Sequence, residues 1–212
     1  MPPILQQMTR FCWEVRVSLK VTGKQKICDA LCRLAAARPA EKVPISNLIE
    51  EAGVNRSTFY YHFDNPRSVL DYMIKTFCQK YLQLLSMPSG QTARALDSDS
   101  QMQLEQNVCT YVFSVQHYIR FFLSEHNYLT FKQAFLTYFR DYCKSHRVVQ
   151  IFSDGSVCPL KQGIVYDYFL RILASQLLGI LEFWAERDFS EGPEDFIQLF
   201  NALHNSTISL QG

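Results

Sequence analysis

The nine residues NRSTFYYHF (55–63) crowd hydrogen-bonding and amphipathic side chains into a short stretch. Wound as a helix, they set Phe59 and Phe63 one turn apart on a buried side. Asn55, Arg56, Ser57, Thr58, Tyr60, Tyr61 and His62 are then left on the exposed face, where they suit base edges and phosphate oxygens. Arg56 is the one side chain of the first turn able to fork onto guanine O6 and N7. A surface helix without such a duty favours Glu, Lys and Gln, which are better helix formers.

No comparable constellation suggests catalysis. The sequence contains no G-x-S-x-G, no Walker loop, no H-E-x-x-H and no Gly-rich dinucleotide turn. The expectation is a protein that is not an enzyme and takes no cofactor. The seven cysteines (Cys12, Cys28, Cys32, Cys78, Cys109, Cys143 and Cys158) include no C-x-x-C. Cys28 and Cys32 lie four apart on one predicted helix, and two thiols are too few for a zinc site. No metal is expected, and the thiols read as free in a reducing cytoplasm.

The elements that must position the nine residues are legible on either side of them. Residues 23–37 place Ile27, Ala30, Leu31, Leu34 and Ala35 on one helical face, with Thr22 and Gln25 as a capping-box start and Pro39 as the stop. A second, short helix opens at Ser46, an N-cap candidate, carries Leu48, Ile49 and Ala52 inward, and ends at Gly53. The third opens at Asn55. Asn65-Pro66 opens a fourth, with proline at the first helical position and an apolar stripe of Leu70, Met73, Ile74, Phe77, Tyr81 and Leu84 running to about Ser86. Helix, short helix, glycine turn, short helix is the helix-turn-helix plan.

Residues 87–99 (MPSGQTARALDSD) are polar with Pro and Gly, and mark the candidate boundary between domains 1–86 and 87–212. Helical patterns follow over roughly 100–124, 127–146, 160–187 and 193–208, with Asp154-Gly155 in a small hairpin or a loop. Hydrophobic residues at 48% and charged residues at 19% describe an ordinary globular chain. The net charge of +1 divides into +5 over residues 1–80 and −4 over 81–212, which suits a chain that offers one end to a polyanion. The N-terminus lacks the apolar run of a signal peptide, and the most apolar uncharged run, Ile172–Leu181, is too short to span a membrane. The expected location is the cytoplasm.

The stretch from about 22 to 77, above all ISNLIEEAGVNRSTFYYHFDNPRSVL (45–70), resembles the DNA-binding domain of the TetR family of bacterial regulators. Gly53-Val54, Tyr60, His62, Phe63 and Leu70 fit the family's Gly-Val turn, Tyr-x-His-Phe helix end and following leucine. The resemblance implies that Gly53 makes the turn, that Val54, Phe59 and Phe63 form the small core, and that Asn55, Arg56, Ser57 and Thr58 read bases. Tyr60, Tyr61 and His62 would touch phosphates or thymine methyls, and Ser46 would hold a phosphate through its hydroxyl and backbone N–H. The family's usual lysine at the start of the fourth helix is Pro66 here, with Arg67 the nearest replacement. Arg10, Arg16, Lys20, Lys24 and Lys26 read either as a basic arm or as a solvated leader.

The fold class implied is all-α: an N-terminal helix-turn-helix head of three helices, joined by a long helix to a C-terminal helical domain for dimerisation and ligand binding. The end, LLGILEFWAERDFSEGPEDFIQLFNAL (177–203), resembles a subgroup of the family that includes the activator of dihydroxyacetone kinase genes. The implied protein is a homodimer on a roughly palindromic double-stranded operator, a ligand-responsive repressor with a small-molecule effector. Of 16 Phe, 12 lie after residue 80, as do 8 of 11 Tyr, and they read either as an apolar effector cavity or as a packed core. His117, Arg120, His126, Tyr128, Tyr138 and Arg171 are polar candidates for such a cavity, though none is singled out as a ligand contact. The last two helices, around Trp184, read as the dimer interface or as intramolecular core. The alternative function is a helical ligand-binding or protein-interaction module whose helix-turn-helix does not bind DNA; a cysteine-dependent enzyme is a more distant third.

Overall fold

Thr22 lies in the extended region and caps α1 (Gly23–Leu34), its Oγ1 accepting from the Gln25 N–H at 3.2 Å. The Gln25 side chain does not complete the expected box; it reaches toward Asp29 and Tyr118 instead. In this computed structural model residues 22–36, 38–85, 98–145, 149–151, 157–159, 163–190, 195 and 198 are described. After α1 come a 3-10 turn (Ala40–Lys42), α2 (Ile45–Ala52), α3 (Arg56–His62) and α4 (Pro66–Leu85). Then follow α5 (Ser98–Ser114), α6 (Gln116–Phe122), α7 (Tyr128–Ser145), strands β1 (Val149–Ile151) and β2 (Val157–Pro159), and α8 (Ile164–Glu186).

The all-α expectation holds. Among the described residues its one addition is the antiparallel pair of β1 and β2, in register Val149↔Pro159, which agrees with the hairpin alternative for this stretch. Asp154-Gly155, the last helix expected over 193–208 except for residues 195 and 198, the basic leader and most of the boundary segment lie outside the described residues. The pattern over 100–124 was expected as one helix. It is two, broken at Val115, whose N–H turns back to the carbonyls of Tyr111 and Val112.

α4 runs through both halves of the packing. Its first turn is closed by Asn65, whose Oδ1 accepts from the Ser68 N–H at 2.9 Å, while Ser68 Oγ accepts from the Asn65 N–H at 3.3 Å. Pro66 sits at the first helical position, where no donor is lost. Val69, Leu70, Met73 and Ile74 are buried, as are Ile27, Leu31, Leu48, Phe59 and Phe63 from α1 to α3. Further along, Phe77 stacks on Tyr81 and Tyr111 and packs near Phe122 and Phe131. Phe131 and Phe135 continue the cluster on α7. Here the aromatic residues pack against one another as core.

α8 is 23 residues and apolar enough to cross a membrane by length and composition, well beyond the ten-residue run read from the sequence. A third of its most apolar window is buried, and one such helix is weak evidence of a membrane span. Tyr166, Leu170, Ala174, Leu178, Leu181 and Trp184 face inward, while Ile164, Val165, Tyr168, Ile172 and Phe183 are exposed. Beyond its end, Asp188 and Phe189 both adopt positive φ, at 61° and 55°.

Candidate nucleic-acid interface

The recognition segment is set by the turn before it. Gly53 closes α2 at φ 60° and ψ 38°, a left-handed conformation that suits glycine because it carries no Cβ. The Gly53 N–H bonds the Glu50 carbonyl and the Val54 N–H bonds that of Ile49, so the chain leaves α2 in a fixed direction. Arg33 of α1 pairs with Glu51 of α2 and ties the two helices across the surface.

α3 begins at Arg56, one residue later than the sequence suggests, because Asn55 is its N-cap. Asn55 Oδ1 accepts from the Thr58 N–H and from Ser57 Oγ, both at 2.7 Å. That oxygen is committed to holding the helix start. Arg56 and Ser57 are exposed; Tyr60 is 46% and Tyr61 83% exposed, with the Arg56 guanidinium 5.7 Å from the Tyr60 ring centre. Phe59 is fully buried and Phe63 nearly so. Thr58 departs from the expected exposed face: it is half-buried, its methyl 3.1 Å from where a Cβ on Gly23 would stand. His62 is also half-buried, its ring edge-on to Tyr61 at 4.8 Å.

Ser46 was expected as the N-cap of the second helix. The helix instead starts at Ile45, capped in position by Pro44 with no side-chain hydrogen bond. Ser46 lies within the first turn, exposed, its Oγ donating to Asn47 Oδ1 at 3.1 Å. Proline can hold this place because its fixed φ, here −63°, needs no donor. Arg67 is exposed and paired with Asp71 one turn on, at 2.9 Å. Lys24, read as part of a basic leader, lies over the Tyr72 ring at 3.8 Å and 5.6 Å from that of Phe63, joining the start of α1 to α4.

A contact that the sequence gives no sign of lies behind this face. Asp29 of α1 accepts from the Tyr118 hydroxyl of α6 and from Gln25, with His117 Nε2 at 3.8 Å. Partial burial opposes ionisation of the Asp29 carboxyl, but the bonds from His117, Tyr118 and Gln25 together outweigh it and hold the group below its usual range. Residues 89 apart in the chain carry no local pattern that would announce such a pairing. Of the other polar candidates in the second half, Arg120 binds Asp188 and Tyr128 donates to Glu182 at 2.7 Å. Arg120, Leu123, Tyr128, Glu182, Ala185 and Glu186 line a cleft of about 540 Å³ that is as polar as it is apolar, unlike the apolar cavity that is one of the two expectations. Trp184 is buried within its own chain against Phe113 and Phe189, as the intramolecular-core alternative has it. Among the described residues no three His, Cys, Asp or Glu side chains are grouped to hold a metal ion.

A helix, a left-handed glycine turn and a short helix with a polar outer face, built on a small apolar core, define a helix-turn-helix of the kind that enters the DNA major groove. Residues 27–73, from α1 into α4, match the family model of the bacterial regulatory proteins of the tetR family. The match spans the helix-turn-helix segment and the start of the helix that follows it, and is a likeness to the DNA-binding part of those regulators. No curated protein matches the chain.

Proposed function

We propose that the chain is a ligand-responsive repressor that binds a roughly palindromic operator as a homodimer, with residues 1–86 as the DNA-binding domain and 87–212 as the effector and dimerisation domain. The observation that carries this reading is the outer face of α3, where Arg56, Ser57, Tyr60 and Tyr61 stand exposed around the buried Phe59. Arg56 reads a guanine edge; Ser57 and the free amide nitrogen of Asn55 add to base reading. Tyr60, Tyr61 and His62 position the helix on the backbone, while Ser46 and the free N–H groups at the start of α2 face a phosphate. Thr58 and Arg67 act more weakly, one by its half-buried methyl and the other through its partner Asp71.

The exposed apolar residues of α8 support pairing with a second copy, since a stripe of this kind on a soluble protein marks an interaction surface. Residues 177–186, at the end of that helix, carry the first part of the likeness to the dihydroxyacetone kinase activator subgroup. The effector acts by population shift: it favours a dimer geometry whose recognition helices no longer match adjacent major grooves. The test is enrichment of duplexes from a random library by the full chain, followed by fluorescence anisotropy at two salt concentrations. Retention of palindromic duplexes with a steep salt dependence supports the reading. Equal, weak retention of all sequences favours the interaction-module alternative.

A further inference from the structure

α6, only seven residues long, is fastened at both ends. Near its start the Tyr118 hydroxyl donates to Asp29 of α1 and accepts from the Gln25 side chain, which also donates to Asp29 at 3.4 Å. The His117 ring lies 3.9 Å from that of Tyr118 and beside the same carboxylate. One turn on, Arg120 donates to the Asp188 carboxylate and to the Asp188 carbonyl, and its guanidinium covers Phe189 at 4.8 Å. Those two residues are the ones held at positive φ beyond α8. A conformation so sparsely populated by non-glycine residues persists where its surroundings fix it.

α4 joins the recognition segment covalently to the rest of the chain, but a single helix leaves the angle about its own axis to be set by other contacts. The Asp29–Tyr118 bond supplies such a contact from the side, and through α6 it is continuous with the end of α8. We propose that Asp29 and Tyr118 are positioning residues for DNA binding: they fix the angle of α1 to α3 against the body, and so the separation of the two recognition helices in the dimer. The proposal rests on the DNA-binding dimer proposed above. A charge-assisted bond of this type, part-buried, is strong enough to bias an orientation, and neither residue has to touch DNA.

The test uses the full chain and a duplex that it enriches from a random library. A series of synthetic duplexes varies the spacing between the two half-sites by one base pair at a time, and a further duplex carries one half-site. Tyr118→Phe and Asp29→Asn are each expected to lose on the order of tenfold in affinity at the native spacing, the scale of one hydrogen bond to a charged group. Half-site affinity is expected to stay within about twofold, the dependence on spacing to flatten, and the double variant to be no worse than either single one. Equal losses on half-site and palindrome would mean a merely weakened fold and overturn the proposal. An unchanged spacing profile overturns it while leaving DNA binding intact. Enrichment of no duplex removes the reading on which it rests, and the proposal with it.

Discussion

Arg56 stands at the first position of α3 with its side chain exposed, where a guanidinium has both reach and freedom to fork onto a base. Arg56→Ala is expected to lose roughly 1–3 kcal/mol on an enriched duplex and to relax preference at one base pair. Equal loss on a scrambled duplex would make it a phosphate clamp. Tyr61→Phe should weaken all sequences alike. Phe59→Ala should cost about 3–5 kcal/mol of stability, as removal of a fully buried ring does, and a thermal melt reads it directly. Residue types at the site were legible because chemistry is written in the side chains. Their orientation was less so. Each helical residue turns the face by about 100°, which sets Thr58 beside the buried Phe59 at the edge of the exposed face, against Gly23, while the start of α2 at Ile45 leaves Ser46 without its capping role.

The elements from α1 to α4 could be read because their signals are local: Thr22, Gly53, Asn55 and the Asn65-Pro66 pair each act within four residues. The break at Val115 could not, since no glycine or proline marks it; the turn lets α6 reach Asp29 on one side and Asp188 on the other. Gly53→Ala keeps its space but not its conformation, and should cost about 1–2 kcal/mol, seen as a lowered melting temperature. Asp29 makes a prediction about pH. Its carboxyl is held below the usual range, so its contribution is complete above the ordinary carboxylate value, about pH 4, and is lost as pH falls through the lowered one. Asp29→Asn should therefore be less stable than the parent at neutral pH, with the gap closing in acid. Denaturant titrations at pH 7 and pH 3 show whether it does.

For the whole molecule, apolar periodicity pointed to a helical chain and the charge split to one that presents one end to a polyanion, while long-range pairing stayed hidden because contacts such as Tyr128 with Glu182 have no sequence period. The proposed dimer places the exposed Ile164, Tyr168, Ile172 and Phe183 of α8 against a second copy and should bury more than about 2,000 Å² in total, as obligate interfaces do. Sedimentation at micromolar concentration is expected to give a dimer, and Tyr168→Glu with Ile172→Glu to give a monomer that has lost palindromic binding. A parent chain that sediments as a monomer would remove the palindrome with the dimer.

The buried thiols give this molecule an internal clock. Cys28, Cys78 and Cys109 are almost inaccessible and spread from α1 through α4 to α5, in one contiguous core. Burial pushes the Cys28 and Cys78 thiols up to about 12, so at pH 8 an alkylating reagent meets almost no thiolate until the surrounding helices part. The rate at which each cysteine is modified then measures how often its own neighbourhood opens. Because the core runs unbroken along α4, these three should be modified together at the slow pace of global opening.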